Sequence, residues 1–377
     1  MSTGADPQPA RTPLWDLHRS RGGRMVPFAG YELPLHYSGR GAIKEHLHTR
    51  EAASLFDIGH MGVVDVRRDR SSETGLGIGA ALESVLPASL VDLQPGRQRY
   101  SFLTNGQGGI SDDVMVANYG DGWTMVVNAA CKHQDVAYLR STLPAGITAE
   151  LREDLSLLAL QGPASEDALT ALGADVAGMA FMGVATVTLG GVDVRCSRSG
   201  YTGEDGFELV VPGARAADLA GMLLEVAGVE PAGLAARDSL RLEAGLCLYG
   251  ADLDPTTSPV EAGLTWAVAR RRREGGGFPG WARMAAELES GPARRRVGIL
   301  PAGRRPVRAG AQVEAAGSVV GAVTSGGFGP STGGPVAMGY VGTDFCEVGT
   351  ELVLRTGDRM DPATVAALPF VPHRYRR

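Results

Sequence analysis

Residues 199–209 read Ser199-Gly-Tyr-Thr-Gly-Glu-Asp-Gly-Phe-Glu-Leu209, a glycine-rich stretch that leads into an apolar run. Its three glycines recur every third residue. Glycine adopts positive φ without steric cost, so the stretch predicts a tight bend that a ligand can approach closely. Residues 207–211 have the composition of a strand. Side chains alternate between the two faces of a strand, so Glu208 points away from the face that Phe207 and Leu209 share.

Glu208 is a candidate binding residue because a carboxylate on such a strand is either solvated or paired with buried donors. A flat heterocycle that offers two parallel N–H groups would suit it, as a guanidinium suits a carboxylate. Tyr201, one bend away, can supply a stacking face for such a ring. The alternative is a surface hairpin with an exposed Glu208, and this stretch alone leaves both interpretations open.

The composition is that of an ordinary globular protein. The chain has 377 residues, with 44% hydrophobic and 21% charged residues, and this length suggests two or three domains. A net charge of −6 argues against nucleic-acid binding. No apolar run is long enough for a membrane span, and the four cysteines lack zinc-site spacing. The first eleven residues lack a signal pattern, so we expect an unstructured tail and a cytoplasmic protein.

A second candidate site follows a predicted hairpin. Residues 100–103 predict a strand, glycines at 108 and 109 predict a turn, and Asp112 and Asp113 begin the next strand. Adjacent strand residues face opposite ways, so one acid can enter a cleft, where burial raises its pKa for proton transfer. The pattern does not say which Asp this is, and a turn-terminating acid pair is the alternative. Asn128 ends the following strand and can bind a heterocycle edge or cap a helix.

Several other polar residues are expected to be structural. His46 and His48 face opposite sides of a predicted helix, which favours solvated side chains over metal ligands. His60 is expected to be a satisfied structural histidine, with a place at a site rim as the alternative. A helix beginning near residue 234 carries Arg237 and Arg241 one turn apart, and a surface ion ladder is the simplest interpretation.

The C-terminal quarter has a different pattern. Residues 270–277 are four arginines, a glutamate and three glycines, which predict a linker or loop tip. From residue 296 onward, short β-like runs at 297–300, 319–323, 336–341, 352–354 and 364–368 are separated by turn residues. This regular spacing predicts a small β-barrel.

Taken together, these motifs make the chain resemble the aminomethyltransferase (T protein) family of the glycine cleavage system over nearly its whole length. The matching pieces occur in the family's order: Thr12-Pro-Leu14, Met25-Val-Pro-Phe-Ala-Gly30, Lys44-Glu-His46, Phe56-Asp-Ile58, His60-Met-Gly62, Gly108-Gly-Ile-x-Asp-Asp113, Leu160-Gln-Gly-Pro163, residues 199–208, Gly233-Leu-Ala-Ala-Arg-Asp238, Leu248-Tyr-Gly250 and Thr324-Ser-Gly326.

The resemblance implies an α+β fold of three lobes around a central folate channel. Residues 12–65 and 137–280 would form a discontinuous first α+β lobe that binds folate. Residues 66–136 would form a second α+β lobe that carries the catalytic Asp, and residues 285–377 a C-terminal β-barrel lobe. Both α+β lobes are expected to contain antiparallel sheets.

The resemblance also implies a reaction and its residues. The methylene carbon of aminomethyl-dihydrolipoyl H protein would pass to tetrahydrofolate, with release of ammonia. The partners would be the lipoylated H protein and tetrahydrofolate, with no metal, no nucleic acid and no membrane, and the chain would be a monomer. By family position, Asp113 is the catalytic acid, and the folate-site residues are Met61, Tyr100, Asn128, Tyr201, Glu208 and Arg237.

The chain departs from the family pattern at a few places. Gly59 stands where the family usually has Ser, residues 278–281 read Phe-Pro-Gly-Trp, and Gly327 and Gly329 flank Phe328. Folate-dependent demethylases and other one-carbon transferases look similar, and such an activity on a small methylated or amino substrate is the alternative function. A non-enzymatic folate-binding module of the iron–sulfur-assembly type is disfavoured, because residues 258–263 lack that group's cysteine.

Overall fold

The structure of the chain is a computed structural model that describes residues 8–69 and 76–377. The tail expected over the first eleven residues lies mostly outside this part. Within it, Ala10–Arg11 forms a strand that pairs in parallel with Tyr31 and Glu32, so the expectation is wrong there. The pairing partner is remote in sequence, which a local pattern cannot reveal. Among the described residues, no helix combines the length and apolar character needed to cross a membrane.

Strands outnumber helices in the part of the chain that the structure describes. The helices are α1 (Trp15–Ser20), α2 (Gly41–Glu51), α3 (Ile78–Glu83), α4 (Lys132–Thr142), α5 (Ser165–Ala171), α6 (Gly213–Leu224), α7 (Leu234–Glu243), α8 (Arg270–Gly275) and α9 (Trp281–Ser290), with 3₁₀ turns at Thr265–Ala267 and Thr343–Phe345. The strands are β1 (Ala10–Arg11), β2 (Gly23–Phe28), β3 (Tyr31–Tyr37), β4 (Ala53–Asp57), β5 (Gly62–Arg68), β6 (Arg97–Thr104), β7 (Ile110–Asn118), β8 (Trp123–Val127), β9 (Ile147–Leu151), β10 (Leu155–Gln161), β11 (Val184–Leu189), β12 (Val192–Ser197), β13 (Gly206–Pro212), β14 (Val229–Pro231), β15 (Arg294–Pro301), β16 (Gln312–Ala315), β17 (Ser318–Gly329), β18 (Gly334–Gly342), β19 (Glu351–Thr356) and β20 (Arg359–Ala366).

The first large sheet has six strands in the order β11-β12-β13-β10-β4-β14, and only the β14–β4 pair is parallel. Phe207 and Leu209 of β13 are fully buried in an apolar core that also covers α5 and α6. Glu208, between them, is half-buried on the other face. The alternation expected from the sequence thus places the carboxylate in the interior of a sheet, with β12 and β10 on either side.

The second large sheet has five strands in the order β6-β7-β8-β5-β9, all antiparallel. Asp113 lies on β7, opposite Phe102 of β6. The hairpin between these strands turns at the predicted glycines, and Gly109 fits there because a Cβ would lie 1.8 Å from the carbonyl oxygen of Pro255. This close approach fixes the second sheet against the 254–257 segment, which continues from the first lobe.

The C-terminal domain is a closed six-stranded barrel in the order β15-β18-β17-β16-β19-β20. Its core contains Val297, Val313, Leu354 and Val365. The prediction of two mixed α/β parts with antiparallel sheets and a terminal barrel is therefore confirmed. The sequence pattern missed β16, whose four residues are too short to show an alternation of their own.

The division of the chain into lobes at the expected residue numbers stays a proposal. The five-stranded sheet takes its strands from residues 62–151, so a boundary after residue 65 falls within β5 and one after 136 falls within α4. These strands favour wider bounds for the second lobe than residues 66–136.

The segment predicted as a linker, residues 270–277, is instead the helix α8 followed by glycines. Arg272 is buried there and donates to the carbonyl oxygens of Glu83 and Leu86 in the second lobe. A run of arginines is solvated only when none of its side chains finds hydrogen-bond acceptors in the protein interior. Here the acceptors lie almost two hundred residues away in sequence, so the local pattern gave the wrong answer.

Candidate functional site

The first part of the candidate site is the acid pair on β7. Asp112 is fully buried, whereas Asp113 is half-buried on the opposite face. The hydroxyl of Tyr100 donates to Asp113 Oδ2 at 3.0 Å, and Asn128 Nδ2 donates to Asp113 Oδ1 at 2.8 Å. These contacts bring together three of the residues predicted from the sequence. Asp113, and not Asp112, is the acid that remains partly exposed.

Asp112 supports this arrangement from behind. It accepts hydrogen bonds from the backbone N–H of Asn128 at 3.0 Å and from Asn128 Nδ2 at 2.8 Å. The same amide therefore holds both aspartates, and Asn128 does not serve as the helix cap that was the alternative. Asp135 of α4 packs against Asp112; burial and the neighbouring Asp112 raise the pKa of Asp135 to about 9. This pair therefore retains a proton at neutral pH.

Burial and, next, the charge of Asp112 raise the pKa of Asp113 to about 7, against the opposing hydrogen bonds from Tyr100 and Asn128. A carboxyl group of this kind is partly protonated near neutrality. It can therefore release or accept a proton under ordinary conditions, which an aspartate of ordinary pKa cannot do as readily.

The second part of the candidate site surrounds Glu208. Ser199 Oγ donates to Glu208 Oε2 at 2.9 Å. Burial raises the pKa of Glu208, and the charge of Arg237 and the Ser199 hydrogen bond oppose this rise. Arg237 Nη1 is buried and has no hydrogen-bond partner among the described residues. The site thus contains a carboxylate and a guanidinium N–H group that both have hydrogen-bonding capacity to spare.

Tyr201 connects the two parts. Its hydroxyl donates to the carbonyl oxygen of Cys247, and Arg237 Cζ lies 4.8 Å from the centre of its ring. The charge of Asp113 contributes to the raised pKa of Tyr201, after burial, and Tyr201 in turn contributes to that of Tyr100. Tyr201 is therefore in contact with Arg237 and is influenced by the charge of Asp113.

Met61 and His60 lie in the turn that precedes β5. Met61 is partly buried against the core that contains Phe56 and Val210. His60 is almost fully buried, and its Nδ1 has no partner in the described structure. Burial and then the charge of Arg237 lower the pKa of His60 to about 4, so the ring is neutral. It is therefore not the fully hydrogen-bonded structural histidine that we expected.

A cleft of about 560 Å³ opens beside Tyr100. Trp266, which is 66% exposed, lines it and stacks on Tyr100 with ring centres 5.5 Å apart. Arg97 and Met182 line other parts of its wall. Sequence analysis did not single out Trp266, because a lone tryptophan gives no signal until its partner ring is known. The cleft is lined by Tyr100, whose hydroxyl donates to Asp113, and so gives solvent access to this tyrosine.

Two predictions about charged residues are wrong. His46 is fully buried, with Nδ1 2.8 Å from Ser239 Oγ and Nε2 3.1 Å from Glu243 Oε2. Arg241 makes the i,i+3 contact with Asp238 at 2.8 Å, but it is buried rather than on the surface, and its Nη1 donates to Asp252 at 2.8 Å. Both side chains face the junction of α7 with the barrel, a long-range packing that helical spacing does not reveal.

The described residues contain no group of three or more His, Cys, Asp or Glu side chains arranged to hold a metal ion.

Comparison with protein-family models decides the family. The model of the GCVT N-terminal domain matches residues 14–272, and that of the glycine cleavage T-protein C-terminal barrel domain matches residues 294–372. The chain belongs to the glycine cleavage T-protein family. The lobes and the barrel described above are thus the two parts of a T-protein fold.

Individual T-protein relatives agree with this assignment. A Gallus gallus protein named "Aminomethyltransferase, mitochondrial" is 44% identical, over 97% of this chain and 93% of its own length. A Schizosaccharomyces pombe protein named "Probable aminomethyltransferase, mitochondrial" is 42% identical, over 99% of this chain and 96% of its own. The crystal structure of glycine cleavage system aminomethyltransferase T from Bartonella henselae superposes with a TM-score of 0.91 at 41% identity, covering 97% of this chain and 99% of that one.

The predictions of the T-protein family, its fold and an aminomethyltransferase enzyme are therefore confirmed. The prediction of a cytoplasmic location is contradicted, because these curated relatives are named mitochondrial. The reason for the error is simple. Cytoplasm was inferred from the absence of a signal pattern, and an absent pattern does not identify a compartment.

Proposed function

We propose that the chain transfers the methylene carbon of aminomethyl-dihydrolipoyl H protein to tetrahydrofolate, releasing ammonia and leaving a dihydrolipoyl carrier. The observation that carries this proposal is the presence of two half-buried carboxyl groups, Asp113 and Glu208, whose pKa burial raises, in a chain of the T-protein family. The names of the relatives support the same activity.

The residues around Glu208 fit a reduced pterin. A pterin presents adjacent N–H donors along one edge, and the buried carboxylate of Glu208 has one oxygen that no donor in the described structure occupies. The unpartnered Nη1 of Arg237 offers a donor to a ligand oxygen or nitrogen. The face of Tyr201 that Arg237 does not cover can pack against a flat ring. When bound, tetrahydrofolate supplies the nucleophilic nitrogen that takes up the one-carbon unit.

The role that we propose for Asp113 is proton transfer. With its pKa near 7, its carboxyl group can donate a proton to the departing amine and can accept one from the attacking nitrogen. Tyr100 and Asn128 each hold one oxygen, so they fix the plane of the carboxyl group without neutralising it. The partial negative charge of Asp113 would also stabilise positive charge that develops on the transferred carbon.

The partner that we propose is a lipoylated H protein. Its arm must reach Asp113 from the surface, and the cleft beside Trp266 and Tyr100 is the candidate route, because it ends at the tyrosine that binds Asp113. Met61 would complete the wall of the pterin pocket.

The test is an assay of ammonia release with aminomethyl-loaded H protein as the donor, in the presence and absence of tetrahydrofolate. We expect release to depend on tetrahydrofolate and to match the formation of methylene-tetrahydrofolate mole for mole. The same assay with sarcosine and dimethylglycine as donors tests the alternative function. Transfer from either small amine, without transfer from H protein, would overturn the proposal in favour of a demethylase.

A further inference from the structure

The end of the chain lies across the outer side of the glycine-rich loop. After β20, residues 371–376 leave the barrel and return to the first lobe; this segment is called the C-terminal strap below. The backbone N–H of Arg374 donates to the carbonyl oxygen of Gly203 at 2.8 Å, and Arg374 forms an isolated parallel bridge with Glu204. Arg374 Nη1 also lies 3.4 Å from Glu204 Oε1. The strap is anchored upstream, where the N–H of Val371 donates to the carbonyl oxygen of Glu243 at 3.0 Å.

The far end of the strap is fixed as well. The N–H of Phe181 donates to the carbonyl oxygen of Arg376 at 2.7 Å. The rings of Phe181 and Tyr375 stack with centres 4.1 Å apart and planes within 6° of parallel. The guanidinium of Arg376 donates to Glu166, and its backbone N–H approaches Asp205 Oδ1 at 3.5 Å. The strap thus runs along the loop for several residues, with contacts on both sides.

The loop depends on such contacts because it lies between strands. β12 ends at Ser197 and β13 begins at Gly206, so in the described structure the Glu204–Arg374 bridge is the only sheet-type pairing of residues 198–205. From the inside, Arg50 Nη1 donates to the carbonyl oxygen of Thr202 at 2.7 Å. The strap supplies the backbone partner on the outside. Gln161 also holds the inner side, by donating to the carbonyl oxygen of Ser199 at 3.0 Å and accepting from Thr202 Oγ1 at 2.9 Å. Loss of the outer contact would therefore loosen the loop mainly around Gly203, since segments with fewer contacts open more easily.

The same loop carries the residues proposed for pterin binding. Ser199 precedes the bend and donates to Glu208, and Tyr201 lies within it against Arg237. A small displacement at Gly203 therefore moves both the ring of Tyr201 and the hydroxyl that orients the Glu208 carboxylate. Asp113 is held separately, on the second sheet, by Tyr100 and Asn128.

From these contacts we infer that the C-terminal strap is a positioning element of the folate site, and that the backbone N–H of Arg374 is its central contact. The strap holds the 199–205 loop in the conformation in which Tyr201 and Ser199 support ligand binding. This inference rests on the proposed function and adds to it a dependence of folate affinity on the last residues of the barrel domain.

The test compares two substitutions at one position. Arg374→Pro removes the backbone donor to Gly203, whereas the matched control Arg374→Ala keeps it and loses only the side chain. We expect the Kd for tetrahydrofolate, measured by tryptophan fluorescence, to rise about tenfold in the proline variant, because the binding-competent loop is less populated. The alanine variant should stay within about threefold of the wild type. Hydrogen exchange in peptides spanning residues 199–206 should accelerate only in the proline variant.

Steady-state kinetics distinguish positioning from general damage. In the proline variant KM for tetrahydrofolate should rise with Kd, while kcat at saturating folate stays within about twofold, since the Asp113 side is untouched. Deletion of residues 373–377 should give the same pattern, with deletion of Arg377 alone as its control. Should the deleted chain fail to fold, the Pro/Ala pair still decides.

Equal Kd values for the proline and alanine variants, or unchanged exchange in the loop, would overturn the inference. So would a fall in kcat with KM unchanged, because that would place the strap's effect on the chemistry. The binding titration needs no donor protein. If the wild type binds tetrahydrofolate but does not transfer carbon from H protein, the proposed reaction is refuted. The Kd values of the Arg374 variants still test whether the strap positions the folate site.

Discussion

Replacing Asp113 by Asn removes the ionisable group of the proposed reaction and leaves the shape of the side chain almost unchanged. The amide oxygen can still accept from Tyr100, but the amide NH2 then faces Asn128 Nδ2, so the hydrogen bond from Asn128 is lost. General acid–base catalysis contributes roughly 10²–10⁴-fold, so we expect kcat to fall by about a hundredfold or more. Tetrahydrofolate binding should be largely kept, because Glu208 and Arg237 belong to the other part of the site.

The same substitution has a predicted effect on stability, with a defined sign. The pKa of Asp113 is about 7 in the folded protein and near 4 in an unfolded chain. The folded state therefore holds this proton more tightly, and the wild type loses stability as the pH rises from about 4 to about 7. The full shift corresponds to roughly 4 kcal/mol. Asp113 is half-buried, so solvent screens part of this, and we expect Asp113→Asn to gain about 2 kcal/mol above pH 7.

Two measurements check these expectations. Urea unfolding at pH 5 and pH 8 should show that the advantage of Asp113→Asn over the wild type grows with pH. Ammonia release from aminomethyl-loaded H protein gives the turnover. Asp121→Asn is a matched control, since Asp121 is an exposed acid in the turn after β7, and it should change neither quantity. Wild-type turnover in Asp113→Asn would refute the catalytic role, and a stability gain independent of pH would refute the raised pKa.

Two further changes test other parts of the structure. Glu208→Gln removes the negative charge that would accept hydrogen bonds from the N–H groups of the pterin. A hydrogen bond to a charged group contributes about 1.5–3 kcal/mol, so the Kd for tetrahydrofolate should rise roughly 10–100-fold. An unchanged Kd in fluorescence titration would contradict the proposed role of Glu208 in pterin binding. Gly59→Ser should lower the free energy of unfolding by about 1–3 kcal/mol, because a Cβ there would lie 2.6 Å from Ser156 Oγ. Adding Ser156→Gly should recover most of that loss in urea unfolding; no recovery would show that the clash lies elsewhere, for instance with Asp57 Oδ1 at 3.0 Å.

Local patterns predicted the strands of the site because each acid sits in a run whose alternation is set by its immediate neighbours. Phe207 and Leu209 bury one face of β13, which leaves Glu208 on the other. The pair Asp112 and Asp113 follows the same rule. The alternation alone did not say which aspartate faces the site. That choice depends on which side of β7 is covered by Asp135 and α4, a feature of tertiary packing.

Residues whose partners lie far away in sequence were predicted least well. Helical spacing suggested solvated side chains for His46 and Arg241, but both face the junction with the barrel. Arg272 gave the same error in an arginine run. In each case the partners include an acid or a carbonyl group more than ten residues away, which the sequence of the helix does not reveal. Trp266 was missed for a similar reason, since its significance lies in stacking on Tyr100.

The pKa directions distinguish Glu243 and Asp57, whose charge has partners within the protein, from Asp113 and Glu208 of the candidate site. Glu243 is buried, yet hydrogen bonds and charge from His46 overcome burial and lower its pKa to about 2. Asp57 is also buried, and bonds from His18 and Thr12 lower its pKa. At Asp113 and Glu208 burial prevails, and the pKa is raised.

A raised pKa in a buried acid signals too few donors in the protein itself. Glu45 shows that this is not sufficient for function: burial raises its pKa although two backbone N–H groups bind it at 2.6 and 2.9 Å. Asp113 and Glu208 differ from Glu45 because each is half-buried and open on one side. A ligand that brings N–H donors to Glu208 would therefore lower its pKa and favour its charged form. Proton uptake or release on folate binding, measured in buffers of different ionisation enthalpy, should consequently show a release of protons from Glu208 that is absent in Glu208→Gln.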